Sequence, residues 1–266
     1  MSTEPNAAAP AATLPPSSPL VPLRPLAWRD PMRWLRAGWQ DFRRSPRIGL
    51  FYGGCFMAMG WALLRVFEHA PVYTLALAAG FLLTGPFLCL GLYQVSRRLE
   101  RGETPRLGDS LLAWRRHTGH LAIFGFVLLV LELLWSRSTL VIFALSFRGM
   151  PDFKGSLLAL LNPANATFIV TWAVVGAVFA TLIFAISVIS IPMLLDRQTD
   201  AITAALTSIR LVLHQPGVML GWAALIAGIT GVAMLPGFAG LLLAAPVLGH
   251  ASWHAYRAAV ESEPAA

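Results

Sequence analysis

Charge is what this sequence has least of. Only 12% of its 266 residues are Asp, Glu, Lys or Arg, against 56% hydrophobic, where a soluble domain carries about 25% charged residues. So few polar groups cannot cover a globule that meets water on every side. The apolar residues are bunched into long runs, so the solvent they suit is lipid. Cysteine is also scarce. Cys55 and Cys89 both lie inside apolar runs, which excludes a disulfide framework and a paired-cysteine metal site. No apolar core of signal-peptide length occurs before residue 45, so the first spans themselves are expected to direct insertion. A Gly-rich phosphate loop, a Ser-His-Asp arrangement and an extramembrane segment long enough to fold a core are all missing. No enzyme and no cofactor are therefore expected.

What is present divides into a Pro- and Ala-rich tail (1–27), a membrane domain (28–260) and a short C-terminal tail (261–266). Prolines 5, 10, 15, 16, 19, 22 and 25 disfavour a helix, so the first tail reads as solvated and disordered. A bilayer core is about 30 Å thick and needs roughly 20 apolar residues per crossing. Six stretches qualify: Ile48 to Phe67, Val72 to Val95, Leu121 to Phe147, Phe168 to Leu194, Val218 to Met234 and Phe238 to Tyr256. The fold class is all-α, a polytopic six-helix bundle with short cytoplasmic amphipathic helices. Between Arg148 and Thr167 a short interfacial helix is expected, capped by Asp152 with Leu157, Leu158, Leu160 and Leu161 on its apolar side.

The net charge is +7, and its distribution sets orientation. Arg24, Arg29, Arg33, Arg36, Arg43, Arg44 and Arg47 precede the first span. Arg97, Arg98, Arg101, Arg106, Arg115 and Arg116 lie between the second and third. Arg197 and Arg210 lie between the fourth and fifth, and Arg257 ends the sixth. That places sixteen of the 20 basic residues on one side, which the positive-inside rule makes cytoplasmic, with both termini. The expected localisation is a bacterial inner membrane. Membrane lipid is the expected partner, with anionic head groups at these arginines. Interleaved Glu100, Glu103 and Asp109 make the central arginine run a poor nucleic-acid stripe. A protein partner is left open.

Three cytoplasmic segments carry apolar residues at i, i+4 and i+7: Leu35, Trp39, Phe42; Leu107, Leu111, Trp114; Ala205, Ile209, Val212. Each precedes a helix boundary (Pro46, Thr118-Gly119 and Pro216-Gly217) and then a span. This spacing suggests an amphipathic helix plus a transmembrane hairpin, used three times. Gly85-Pro86, Pro192 and Pro246 are expected to kink their spans. Small pairs Gly49/Gly53, Gly217/Gly221 and Gly176/Ala180 suit close helix packing.

GPFLCLGLYQVSRRLERGE (Gly85 to Glu103) and PVLGHASWHAYR (Pro246 to Arg257) resemble the bacterial membrane family called domain of unknown function 2189. GWQDFRRSPRIGLFYGG (Gly38 to Gly54) and MGWALL (Met59 to Leu64) fit it too. The resemblance covers roughly residues 30 to 258 and implies an integral membrane protein with no set activity. The family pattern carries an acidic residue after the tyrosine of the first stretch; here Gln94 stands there, so no carboxylate role carries over. Some relatives bear a label linking them to cytochrome c oxidase.

Two residue pairs are candidates for chemistry. Glu132 and Arg137 fall inside the third span, where a charge costs about 2.5–3.5 kcal/mol and usually faces a bundle interior. Five residues apart, they sit roughly 140° around the helix and make a poor local ion pair. They raise a small transporter or channel as the alternative to a structural or accessory membrane component. His250 and His254, four apart, share one helical face near the cytoplasmic end of the last span, with His117, His120 and His214 expected at similar depth. They raise a haem- or metal-linked respiratory accessory protein. The competing reading is amphipathic side chains at the lipid interface, like Trp253 and Tyr256.

Overall fold

The computed structural model describes residues 21–70, 73–116, 118–146 and 166–261, and among them it is all-α, with no β-strand. Most of the first tail, the expected interfacial helix with Asp152, and the outer residues Arg148 and Lys154 lie outside the described residues. The helices are α1 (Asp30–Arg44), α2 (Pro46–His69), α3 (Thr74–Glu100), α4 (Leu107–Leu111), a 3-10 turn (Ala113–Arg116), α5 (Thr118–Ser146), α6 (Ala166–Ser187), α7 (Ser190–Asp196), α8 (Ala201–His214), α9 (Pro216–Met234) and α10 (Leu241–Ala259).

Among the described residues, five stretches are long and apolar enough to cross a membrane: Pro46–His69, Leu77–Glu100, Thr118–Ser146, Ala166–Asp196 and Pro216–Met234. They coincide with the first five expected spans. The sixth expected span forms α10, which lacks that apolar composition because its second half carries His250, Ser252, His254 and Arg257. It tolerates them because it faces protein. Ten of its nineteen residues are buried, whereas α6 has none among its buried residues. Helices α1, α2 and α3 pack around α10. The α5–α6 hairpin presents Phe126, Leu133, Leu145, Val170 and Val178 outward, as a lipid-facing surface does.

The first and third units repeat each other. Asp30 and Asp200 both stand at the start of a helix, and Pro46 and Pro216 both open a span, at one constant offset of 170 residues. The residue before a proline is driven out of the α region, so the chain breaks there and proline takes the first position of the next helix. Ser45 (φ −135°, ψ 55°) and Gln215 (φ −133°, ψ 53°) adopt the same conformation. Each donates its N–H four residues back (Asp41 and Leu211, both 3.0 Å) and accepts from four residues ahead (Gly49 at 3.1 Å, Met219 at 3.2 Å). Aligned on their inner prolines, Tyr93, Gln94 and Arg97 of α3 match Trp253, His254 and Arg257 of α10.

The middle unit departs from expectation. Its amphipathic helix is cut into α4 and the 3-10 turn, so Leu107, Leu111 and Trp114 do not lie on one continuous helix. The Ser110 hydroxyl turns back to the Leu107 carbonyl (2.8 Å) and meets the Tyr52 hydroxyl (3.0 Å), which pins the segment to α2. Pro192 breaks its span outright. A proline clashes with the carbonyl four residues earlier, here Val188, and the helix stops at Ser187 and resumes at Ser190. Pro86 and Pro246 stay within continuous helices.

A strap (residues 21–29) closes the arginine-rich end. Leu23 pairs with Val260, Arg24 N–H donates to Ala259 O (2.9 Å), and Gln215 accepts from Leu26 N (2.6 Å) while donating to Arg24 O (2.9 Å). The two ends of the described chain therefore lie side by side.

Candidate functional site

The polar chemistry of the bundle collects where α1, α3 and α10 meet. Trp34 and Phe42 set the buried stripe of α1, and Asp41, one position from Phe42, is carried inward with it to 5% exposure. It reaches His254, whose Nε2 lies 2.8 Å from Asp41 Oδ2. One turn earlier on α10, fully buried His250 meets Ser96 of α3, Nδ1 to Oγ 2.8 Å. His250 Nε2 has no hydrogen-bond partner among the described residues. The i, i+4 spacing of the histidines thus aims both into the protein, each onto its own polar partner. His120 and His214 are exposed, away from them, and the His117 side chain is outside the described residues. Among the described residues no three His, Cys, Asp or Glu side chains stand where they could hold a metal ion.

Burial alone would raise the Asp41 pKa, but the hydrogen bond and charge of His254, with smaller help from Ser96 and His250, outweigh it. The carboxyl is held below its ordinary value of 3.8. A depressed folded-state pKa contributes stability that is complete above the unfolded value and lost as pH falls through the folded one. The expected outcome is that the thermal-stability gap between the native protein and Asp41→Asn is present at about pH 5 and closes as pH drops below 3.8. A gap that persists unchanged at pH 3 would show that ionisation of this carboxyl does not stabilise the fold.

Beside this network the ends of the three hairpins converge. Arg257 of α10 reaches Glu100 of α3 (3.3 Å) and Asp196 of α7 (3.4 Å). Tyr256 donates to Asp196 (2.9 Å) and accepts from Arg197 Nε (3.1 Å), and Arg197 also donates to the Glu261 carbonyl. Arg97 Nη1 donates to Leu195 O (2.7 Å). Arginines read as topology signals are thus also ties between units. Asp41, Ser96 and Asp196 carry no local sequence signal, and Glu100 stands out only as an acid within the arginine run; the correspondence of Arg97 with Arg257 once the inner prolines are aligned is the one pointer to these ties.

Next to the node a cavity of about 270 Å³ is lined by Gln94, Arg97, Arg98, Arg101, Glu103, Asp109, Leu112, Ala113 and Leu195. Arg98 pairs with Asp109 (2.6 Å) and Glu103 (3.5 Å) on its wall. The Gln94 Oε1 is buried with no hydrogen-bond partner among the described residues.

The second sequence candidate is split. Glu132 is 7% exposed, and its Oε2 has no hydrogen-bond partner among the described residues. Arg137 is exposed. The two stand on different faces of α5, as five-residue spacing dictates.

Residues 74–196 match the family described as predicted integral membrane protein (DUF2189). The match runs from α3 to α7 and takes in the Gly85 to Glu103 stretch; Gly38 to Gly54 and Pro246 to Arg257 fall outside it. No curated protein and no solved structure matches this chain.

Proposed function

We propose that this chain, a multi-pass membrane protein of the DUF2189 family over residues 74–196, crosses a bacterial inner membrane six times with both ends cytoplasmic and serves as a structural or accessory component there. Five apolar stretches alone would leave the ends on opposite sides. The pairing of Leu23 with Val260 favours an even number, with α10 as the sixth crossing. The concentration of arginine at that end favours the cytoplasm.

The observation that carries the accessory reading is where the polar side chains go. Asp41, His254, His250, Ser96, Glu100, Asp196 and Arg257 are taken up in ties between helices, and networks of that kind rigidify a fold. A second reading, a small transporter or channel, draws on one observation, the buried Glu132 oxygen without a partner among the described residues.

Two measurements separate these readings. Compartment reporters fused to each end are expected both to read cytoplasmic; opposite readings sink the six-span topology. Protein reconstituted in liposomes loaded with pH- and ion-sensitive dyes is expected to leak no faster than empty liposomes. Flux that Glu132→Gln abolishes would replace the accessory reading with the transport one.

A further inference from the structure

We infer that the cavity at the end of α3 is the head-group half of a binding site for one anionic phospholipid with a hydroxylated head group, of the phosphatidylglycerol type. The site rests on the topology just proposed only for the leaflet it occupies. Three arginines (Arg97, Arg98, Arg101) line about 270 Å³ together with two carboxylates (Glu103, Asp109), both of them paired with Arg98. Arginine outnumbers carboxylate in this lining, which suits a phosphodiester. The carboxylates and the buried Gln94 Oε1 would repel a bare phosphate but accept hydrogen bonds from glycerol hydroxyls. Arginine forks suit the phosphate oxygens.

An apolar continuation lies on the same helix. A second cavity, of about 490 Å³, is lined by Phe87, Trp114, Thr118, Leu121, Ala122 and Gly125. Phe87 and Gln94 are seven residues apart, so they share one face of α3 about 10 Å apart along its axis. At the other wall, Ala113 lines the first cavity and its neighbour Trp114 the second. Going down α3 from its charged end, the surface passes from arginine to glutamine to phenylalanine. That is the order a phospholipid presents from phosphate to glycerol to acyl chain. The Phe87 ring packs on Gly125, so a chain in this cavity would lie beside that contact, against Ala122 and Trp114.

The test uses the full-length protein in detergent, titrated with phosphatidylglycerol, phosphatidylethanolamine or inorganic phosphate, with bound lipid counted by native mass spectrometry. One phosphatidylglycerol is expected to bind in preference to phosphatidylethanolamine, and millimolar phosphate is expected not to displace it. Arg101→Ala is expected to weaken binding about fivefold, Arg101→Lys to keep most of it, and Ala122→Phe to weaken it by filling the acyl groove. Equal retention of both lipids by the native protein and all variants would overturn the site. Displacement by phosphate, with Ala122→Phe silent, would replace it with a free-anion site. Circular dichroism checks that each variant is helical, and a variant that does not fold leaves the other two and the lipid preference to decide. Binding in detergent does not depend on orientation, so a failed lipid test and a failed reporter test are separate results.

Discussion

Replacing Gly53 by leucine is expected to abolish the folded protein. Gly53 faces α10 across α2, and a Cβ built on it overlaps the carbonyl oxygen of Leu242, with the Leu242 Cα within 2.9 Å. The obstacle is backbone, so no rotamer change relieves it, and α2 must move off α10. Gly38 makes the same kind of contact from α1, its Cβ position lying 2.6 Å from Val247 O and 2.7 Å from Ala251 N. In hydrocarbon there is little gain from hiding one apolar helix against another, so dispersion at close approach is what holds such helices together. Overpacking a core costs about 1–3 kcal/mol even where side chains can yield. A bulky chain against rigid backbone costs upward of about 3 kcal/mol, a large part of a typical total of about 5–15. In gel filtration of detergent extracts, Gly53→Leu is expected to lose its monodisperse peak. Gly54→Leu, whose Cβ meets nothing within 4 Å, is expected to keep it. A normal Gly53→Leu peak would mean that α2 does not lie against α10 in this way.

The second large effect belongs to Asp41→Ala. It removes a carboxylate that is buried and hydrogen-bonded to His254, whose own side chain is only 20% exposed. The histidine then keeps its place between α1 and α10 without its partner, and breaking a buried pair from one side costs about 3 kcal/mol. For a chain of this size that is roughly a 5–10 °C fall in melting temperature. His254→Ala is expected to cost less, and the double variant little more than Asp41→Ala alone, because one interaction is lost either way. A coupling of at least about 1 kcal/mol is expected. Strictly additive losses would mean that the two side chains do not depend on each other.

The two effects differ in how far sequence reveals them. Gly53 was visible as one of a small-residue pair, yet of the pairs noted it is the one whose Cβ meets another helix's backbone; Gly221 meets nothing and Gly49 meets the ring of Phe42. Spacing identifies a residue that permits close approach but not whether a neighbour takes it up. Asp41 looked like one more polar residue on an amphipathic helix. Its partner is 213 positions away, beyond any local pattern. The histidine pair was legible as a pair, since i, i+4 geometry is a property of one helix. What it faces is a property of three.

Glu132 and Arg137 show the same division. Their angle around α5 follows from 3.6 residues per turn, so their failure to pair was readable. Which of them is buried was not, because that depends on where α5 meets its neighbours. The first and third units were readable from Pro46 and Pro216, whose chemistry breaks a helix locally. The helix of the middle unit ends at Leu111, beside the contact of Ser110 with Tyr52 of α2, a contact that no local pattern carries.

By itself, then, the sequence determined that the chain is helical and lives in lipid, where five long apolar stretches lie, and at which end of them its arginines gather. Those follow from hydrocarbon thickness, proline sterics and charge near a membrane, all of which act over a few turns. Only the tertiary structure decided that α10, the least apolar of the expected spans, is the helix on which α1, α2 and α3 pack, that Arg257 ties the helix ends together, and that a charged cavity and an apolar one both lie along α3. Those depend on which surfaces meet, and elements far apart in the chain meet only once the whole has packed.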